Sequence, residues 1–282
     1  MAPVTASAVI ALTLFLLPFQ YAVLKLAPHR GGAIPHFYHR AACFILGIRR
    51  VDVGALATQR PLLLLANHVS WLDIVVLSAA MPVSFVAKSE VGAWPGIGFL
   101  ARLQRTIFVD RARRTATRGT ARDIAARLNA GDAMVLFAEG TSSDHNRVLP
   151  FRSALIGAAR EALSLEGAEG GSAEVFVQPV SIAYPRRHGL PVLRRERPDI
   201  AWYGGMTLPN HLWNIMKFGG PEAVVSFGRP MAVTAETDRK DIARRAEAEV
   251  RAMTLRALRG EAPSAPAEPS GELAILLEAQ TG

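Results

Sequence analysis

The run "PLLLLA", residues 61–66, contains no polar side chain and stops abruptly at Asn67 and His68. A continuous apolar run this short cannot cross a bilayer. It suits a strand buried on both faces, as in a parallel sheet with helices on either side. Similar runs recur at "VSFVAK" (83–88), "TIFVD" (106–110), "AMVLFA" (133–138), "VFVQPVSIAY" (175–184) and "AVVSFG" (223–228). Between them, "WLDIVVLSAA" (71–80), "RRTATRGTARDIAARLNAG" (113–131) and "SALIGAAREAL" (153–163) read as helices, with Gly131 as a stop for the second. "TDRKDIARRAEAEVRAMTLRALRG" (237–260) is amphipathic, with Ile242, Ala246, Val250, Met253 and Ala257 along one face. The alternation predicts an α/β fold, a mixed and mostly parallel sheet flanked by helices.

A different element precedes this pattern. Ala2 to Leu24 carries no charged residue. As a helix rising about 1.5 Å per residue it is long enough for a hydrocarbon core of about 30 Å. Met1 to Thr5 lacks the basic start of a signal peptide. Two readings remain open: a spanning helix, or a hairpin kinked at Pro18 that dips into one leaflet with the apolar stretch Phe37–Ile48 as its partner. Lys25, Arg30, Arg40, Arg49 and Arg50 all lie beyond the apolar segment, which places the rest of the chain on the cytoplasmic face of a bacterial-type inner membrane. The expected organisation is a membrane-anchoring segment at 1–50, a catalytic domain at 51–260 and a disordered tail at 261–282 rich in Pro, Ala, Ser and Glu.

Bulk properties agree with a membrane partner. Half of the 282 residues are hydrophobic and the mean hydropathy is +0.20. The net charge of +8 suits an anionic surface or anionic substrates. Nucleic-acid motifs are absent, so the anionic inner membrane surface is the expected partner and nucleic acid is not. The one cysteine, Cys43, sits among apolar neighbours and reads as a buried thiol. Phosphate-binding loops, serine-hydrolase elbows and zinc-peptidase motifs do not occur. No metal is expected.

Polar residues gather at the ends of the predicted strands, the edge where α/β sheets bind ligands. His68 comes directly after the first strand, and Asp73 lies one turn into the next predicted helix. Asp73 can hold one ring nitrogen and leave the other free to take a proton. The plain alternative is a turn histidine beside a carboxylate that complements a helix start. "FAEGTSSDHNRVLPFR" (137–152) runs a strand into Glu139, with Gly140 permitting a tight turn. "RTIFVDR" (105–111) brackets a strand with Arg105 and Arg111, which suits an anion, although both arginines read equally as solvated surface residues. Pro179 inside an apolar strand marks a bulge or an edge.

In this order the blocks resemble the lysophospholipid acyltransferase family, enzymes like bacterial 1-acylglycerol-3-phosphate acyltransferase. "NHVSWLD" is similar to that family's N-H-x-x-x-x-D block, "RTIFVDR" to its second block, "FAEGTS" to its F-P-E-G-T-R block, and "VQPVS" to its fourth. The likeness covers roughly residues 40 to 230. It implies the glycerolipid acyltransferase fold and transfer of an acyl chain from acyl-CoA or acyl carrier protein to the free hydroxyl of a lysolipid, without a covalent intermediate or further cofactor. On this resemblance His68 is the general base and Asp73 its orienting carboxylate. Asn67, Lys88, Arg111, Glu139, Gly140, Thr141, Ser142 and Pro179 shape the substrate site or hold its anionic group. Two positions depart from the pattern: Ala138 replaces a Pro, and Ser142 replaces an Arg. Losing that guanidinium removes a two-pronged anion clamp. An acceptor of the 1-acylglycerol-3-phosphate type is the family expectation. Ser142 favours the alternative, the branch that esterifies lyso-ornithine lipid, unless Arg147 or Arg152 restores the charge. A non-catalytic lipid-binding protein and a thioesterase-like hydrolase are the competing classes.

Overall fold

A computed structural model of the chain describes residues 2–109, 114–153, 174–234 and 236–261. The expected helix at 153–163, the residues Asp110 and Arg111, and the tail beyond 261 lie outside the described residues.

The uncharged N-terminal segment forms helix α1, Ala2–Leu26, which continues through Pro18. The chain reverses in a short 3-10 turn at Pro28–Arg30 and returns as α2, Ala33–Leu46. The two helices pack together, and Thr13 Oγ1 lies 3.0 Å from the Tyr38 hydroxyl. The hairpin partner is therefore the one expected, but the reversal is not at Pro18. Pro28 presets the φ of the first turn position. Gln20 then locks the corner, donating to Gly31 O at 2.9 Å and to Leu103 O at 2.6 Å. One face of α1 stays apolar and open, with Val4, Ile10, Leu14, Phe15 and Phe19 exposed.

Among the described residues nine strands form one sheet: β1 Arg49–Val53, β2 Leu62–Ala66, β3 Ser84–Lys88, β4 Ile107–Val109, β5 Ala133–Phe137, β6 Val175–Arg187, β7 Leu190–Pro191, β8 Pro221–Phe227 and β9 Met231–Val233. The order is β1-β8-β6-β2-β5-β3-β4, with β7 and β9 also paired to β6. Strands β6, β2, β5, β3 and β4 run parallel, whereas β8 is antiparallel to β6. The helices between them are α3 Leu72–Ala80, α4 Ser89–Gly92, α5 Ile97–Leu103, α6 Arg114–Asn129, α7 Leu208–Phe218 and α8 Arg239–Arg259. Gly131, at φ 87°, comes after α6 in the left-handed region that glycine tolerates. Asp238 caps α8, its side chain accepting from Lys240 N.

Every residue of β2 is buried, and its side chains divide between two cores. Leu62, Leu64 and Ala66 join Val135, Phe137, Ile182 and the buried faces of α2 and α3. Leu63 and Leu65 join Met134, Leu136, Val177, Ile124 of α6 and Ile242, Val250 and Met253 of α8. This two-sided burial is why the strand reads as an unbroken leucine run.

Pro179 corrects one expectation. It sits in the interior strand β6, and the irregular register lies further on, between Ala183 and Arg186. Proline is tolerated there because it falls between two pairing partners. Residues 175–177 pair with β9, and β8 pairing begins at Val180. The Pro179 carbonyl still accepts from Gly228 N at 2.8 Å.

Candidate active site

The parallel register sets Ala66 level with Phe137 and Val180, so β2, β5 and β6 deliver their next residues to one edge. Asn67 comes first. Its side chain donates to Ile182 O at 2.9 Å and accepts from Ile182 N at 2.8 Å, and it is buried. The amide thus occupies the pairing position of one more strand residue. Expected as a substrate contact, Asn67 is instead fully engaged with β6 backbone and holds the turn that carries His68.

His68 Nδ1 lies 2.8 Å from Asp73 Oδ2. The same oxygen accepts from Val69 N at 2.6 Å and Ser70 N at 3.0 Å. Oδ1 accepts from the Tyr184 hydroxyl at 2.6 Å. A fully buried carboxylate is costly unless its oxygens are hydrogen-bonded, and four donors meet that need. With Nδ1–H committed to Asp73, Nε2 is the basic nitrogen of the ring, and it has no hydrogen-bond partner among the described residues. The His68 side chain is 18% exposed against 0% for Asp73, so the ring is the part of the pair that reaches solvent. Phe137 stacks under it at 4.0 Å between ring centroids and fixes its plane. The structure holds the paired geometry, and Asp73 also accepts the turn amides ahead of α3, so both readings open in the sequence describe part of what it does.

After β5 the chain turns sharply. Gly140, at φ 74°, donates its N–H to Phe137 O at 3.0 Å. Glu139 is thereby turned inward and is 2% exposed. Both of its oxygens lack a hydrogen-bond partner among the described residues. The amides of Leu149 and His68 approach and favour the charged form, though neither makes a bond of ordinary geometry, and burial dominates. Burial, with Asp73 and Glu247 adding negative charge, pushes the Glu139 carboxyl up to about 8. A buried carboxyl of this kind beside a basic imidazole is a polar group left for a ligand to satisfy.

Thr141 is exposed and Ser142 half-buried on the loop beyond Gly140. The next residue, Ser143, carries no signal in the sequence. Its N–H donates to His68 O at 2.9 Å and straps the loop to the turn. At the far end of the loop, Phe151 N donates to Glu247 Oε2 of α8 at 3.0 Å. Lys88 is exposed at the end of β3, on the same sheet edge, with no contact to the dyad among the described residues. Arg111 lies outside them. Arg105 sits at the start of β4, the opposite edge, and pairs with Asp132 at 3.0 Å. Pro179 alternates with Val175 and Val177 toward the α8 core, whereas Val180, Ile182 and Tyr184 belong to the core that includes Phe137. Its position in the strand thus places it on the α8 face of the sheet.

Further residues complete the edge. Trp71 Nε1 donates to His211 Nδ1 on α7 at 2.9 Å, and Trp202 N donates to Val69 O at 2.9 Å. These bonds tie the segment after β7 over the His68 turn. Tyr184 is the one with a legible signal: a tyrosine within a buried strand requires a partner for its hydroxyl. Among the described residues no cluster of three His, Cys, Asp or Glu is placed to hold a metal ion.

Residues 49–183 match the family described as Acyltransferase. The chain is 53% identical over 260 residues to a lyso-ornithine lipid O-acyltransferase of Brucella abortus (strain 2308), covering 92% of this chain and 96% of that protein. It is 41% identical over 256 residues to a protein of the same name from Rhizobium meliloti (strain 1021), covering 91% and 86%. The fold matches the crystal structure of the 1-acyl-sn-glycerophosphate acyltransferase of Thermotoga maritima with a TM-score of 0.62 at 19% identity, over 91% of this chain and 98% of that one. With the dyad at the strand edge and relatives matched along nearly their whole length, the chain belongs to the lysophospholipid acyltransferase family and is an acyltransferase.

Proposed function

We propose that the protein is a membrane-associated O-acyltransferase that esterifies the free hydroxyl of lyso-ornithine lipid, using acyl-CoA or acyl carrier protein as donor. The observation that carries the chemistry is the His68–Asp73 pair, bonded at 2.8 Å with only the imidazole reaching solvent. His68 Nε2 removes the acceptor hydroxyl proton as its oxygen attacks the thioester carbonyl. Asp73 stabilises the imidazolium that forms. The tetrahedral adduct collapses, the C–S bond breaks, and the departing thiolate takes the proton from His68. The products are the ester and a free thiol, and the enzyme is returned unchanged. Glu139, buried against the same edge, supplies a hydrogen bond to the acceptor head.

The acceptor assignment rests on Ser142 in place of the family's Arg and on the names of the relatives in Brucella and Rhizobium. A neutral hydroxyl suits a headgroup with one carboxylate better than a phosphate that needs a two-pronged clamp.

The α1–α2 hairpin holds this site against the cytoplasmic leaflet. Its open face presents Phe15, Phe19 and, on α2, Phe44 at 86% exposure. Because α1 also packs along α2, α5 and α7, a shallow seat in one leaflet fits better than a free spanning helix. Lipid extracts test the assignment. A strain lacking the gene is expected to lose ornithine lipid and accumulate its lyso form. Unchanged ornithine lipid with a shortage of phosphatidate would reject lyso-ornithine lipid as the natural acceptor.

A further inference from the structure

Tyr184 lies near the end of the buried run of β6, one residue before Pro185, and is itself fully buried. Its hydroxyl donates to Asp73 Oδ1 at 2.6 Å. Oδ1 has no other donor among the described residues, whereas Oδ2 takes three. The carboxylate is therefore divided in use: one oxygen serves His68 and the turn, the other serves Tyr184 alone. The tyrosine does not depend on Asp73 for its place. Its N–H donates to His145 Nε2 at 3.2 Å, and its ring meets that imidazole edge-on at 5.6 Å.

We infer that Tyr184 is a positioning residue that sets how tightly Asp73 holds the His68 ring, and so how readily that ring takes and returns the hydroxyl proton. A short phenol–carboxylate bond draws negative charge toward Oδ1. Less charge then remains on Oδ2, which faces His68 Nδ1–H. The imidazolium is stabilised enough to form but not so strongly that it withholds its proton from the leaving thiolate. Burial and the Asp73 charge push the phenol well above its usual value, so it remains a donor wherever the enzyme works. The inference rests on His68 acting as base.

Several titratable groups face the cluster. Glu139 lies beside Asp73, Cys43 on α2 faces Tyr184, and His145 faces both Asp73 and Arg197. These groups are common to wild type and variants, so a difference between pH profiles isolates the phenol.

The experiment is a pH–rate profile of the full-length enzyme in mixed micelles, with lyso-ornithine lipid and labelled acyl donor. For Tyr184→Phe, kcat is expected to fall about 10- to 100-fold, the scale of one charge-assisted hydrogen bond, with both KM values kept. The acid limb is expected to move to higher pH, because the unshared Asp73 charge holds the protonated ring more firmly. Placing 3-fluorotyrosine at 184 makes the phenol a stronger donor without changing its shape, and the limb is expected to move to lower pH. That protein carries the test where the Phe variant folds poorly. A purely structural role would lower yield or melting temperature and leave the limb in place. Profiles that coincide with wild type in both proteins overturn the inference. Absence of turnover in wild type overturns instead the proposed reaction.

Discussion

The side chain of Asn67 and the backbone of Ile182 exchange two hydrogen bonds, at 2.9 and 2.8 Å, as two residues of adjacent strands would. This bridge carries the β2–β6 pairing one residue beyond the strand and sets the departure point of the His68 turn. Asn67→Ala leaves both backbone groups of Ile182 buried without partners, at a cost of about 1–3 kcal/mol. The expected result is a lower melting temperature and reduced kcat with the acceptor KM kept. A raised KM with normal stability would instead mark Asn67 as a substrate contact.

Glu139 predicts a pH-dependent cost. Its carboxyl titrates at about 8 when folded and near 4.5 when unfolded. The folded state therefore holds the proton over that window while the unfolded state has lost it. Stability contributed by the neutral acid is present below pH 4.5 and declines as pH rises toward 8. Glu139→Gln removes the titration. Denaturant melts are expected to show the variant gaining on wild type as pH rises through the window. Parallel stability curves would contradict the buried environment assigned to Glu139.

His145 acts with the opposite sign. Burial, assisted by the Arg197 charge, lowers it to about 4 from 6.5. The unfolded chain binds the proton first, so stability is full above pH 6.5 and is lost as pH falls to 4. His145 also sits at φ 65°, a region asparagine tolerates. His145→Asn should keep the loop conformation and weaken the loss of stability between pH 6.5 and 4. Acid melts of the two proteins check this, and identical acid sensitivity would contradict it.

The open face of α1 predicts its own defect. Replacing Phe15 and Phe19, 65% and 52% exposed, by Ser should release the protein from anionic vesicles without lowering its melting temperature. A loss of stability with membrane binding intact would mean that these rings pack inside the protein.

The sheet is legible in the sequence because β2, β3, β5 and β8 are buried on both faces and read as apolar runs. β1, "RRVDV", is not, since it is an edge strand whose charges face outward. α7 carries a legible helical spacing, with Leu208, Leu212, Ile215 and Met216 along one face, although the expected elements do not include it. At the site, His68, Asp73, Glu139 and Gly140 stand out because chemistry-bearing residues come directly after strands. Asn67 stands out but misleads, because an amide that pairs with backbone looks in sequence like one that meets a substrate. Arg105 reads as an anion ligand, but the direction of β4 puts it at the wrong edge. Ser143 and His145 depend on the long-range approach of a loop, which no local pattern encodes, whereas Tyr184 signals in sequence only that its hydroxyl needs a partner.

The central claim is that His68, held by Asp73, is the base that drives acyl transfer to a lyso-ornithine acceptor. The most direct measurement is the initial rate of labelled acyl transfer to lyso-ornithine lipid and to lysophosphatidate, for wild type and His68→Ala in the same micelles. Wild type is expected to prefer lyso-ornithine lipid, and His68→Ala to lose about 10²- to 10⁴-fold in kcat with its melting temperature and vesicle binding kept. A His68→Ala protein that retains wild-type turnover would contradict the claim.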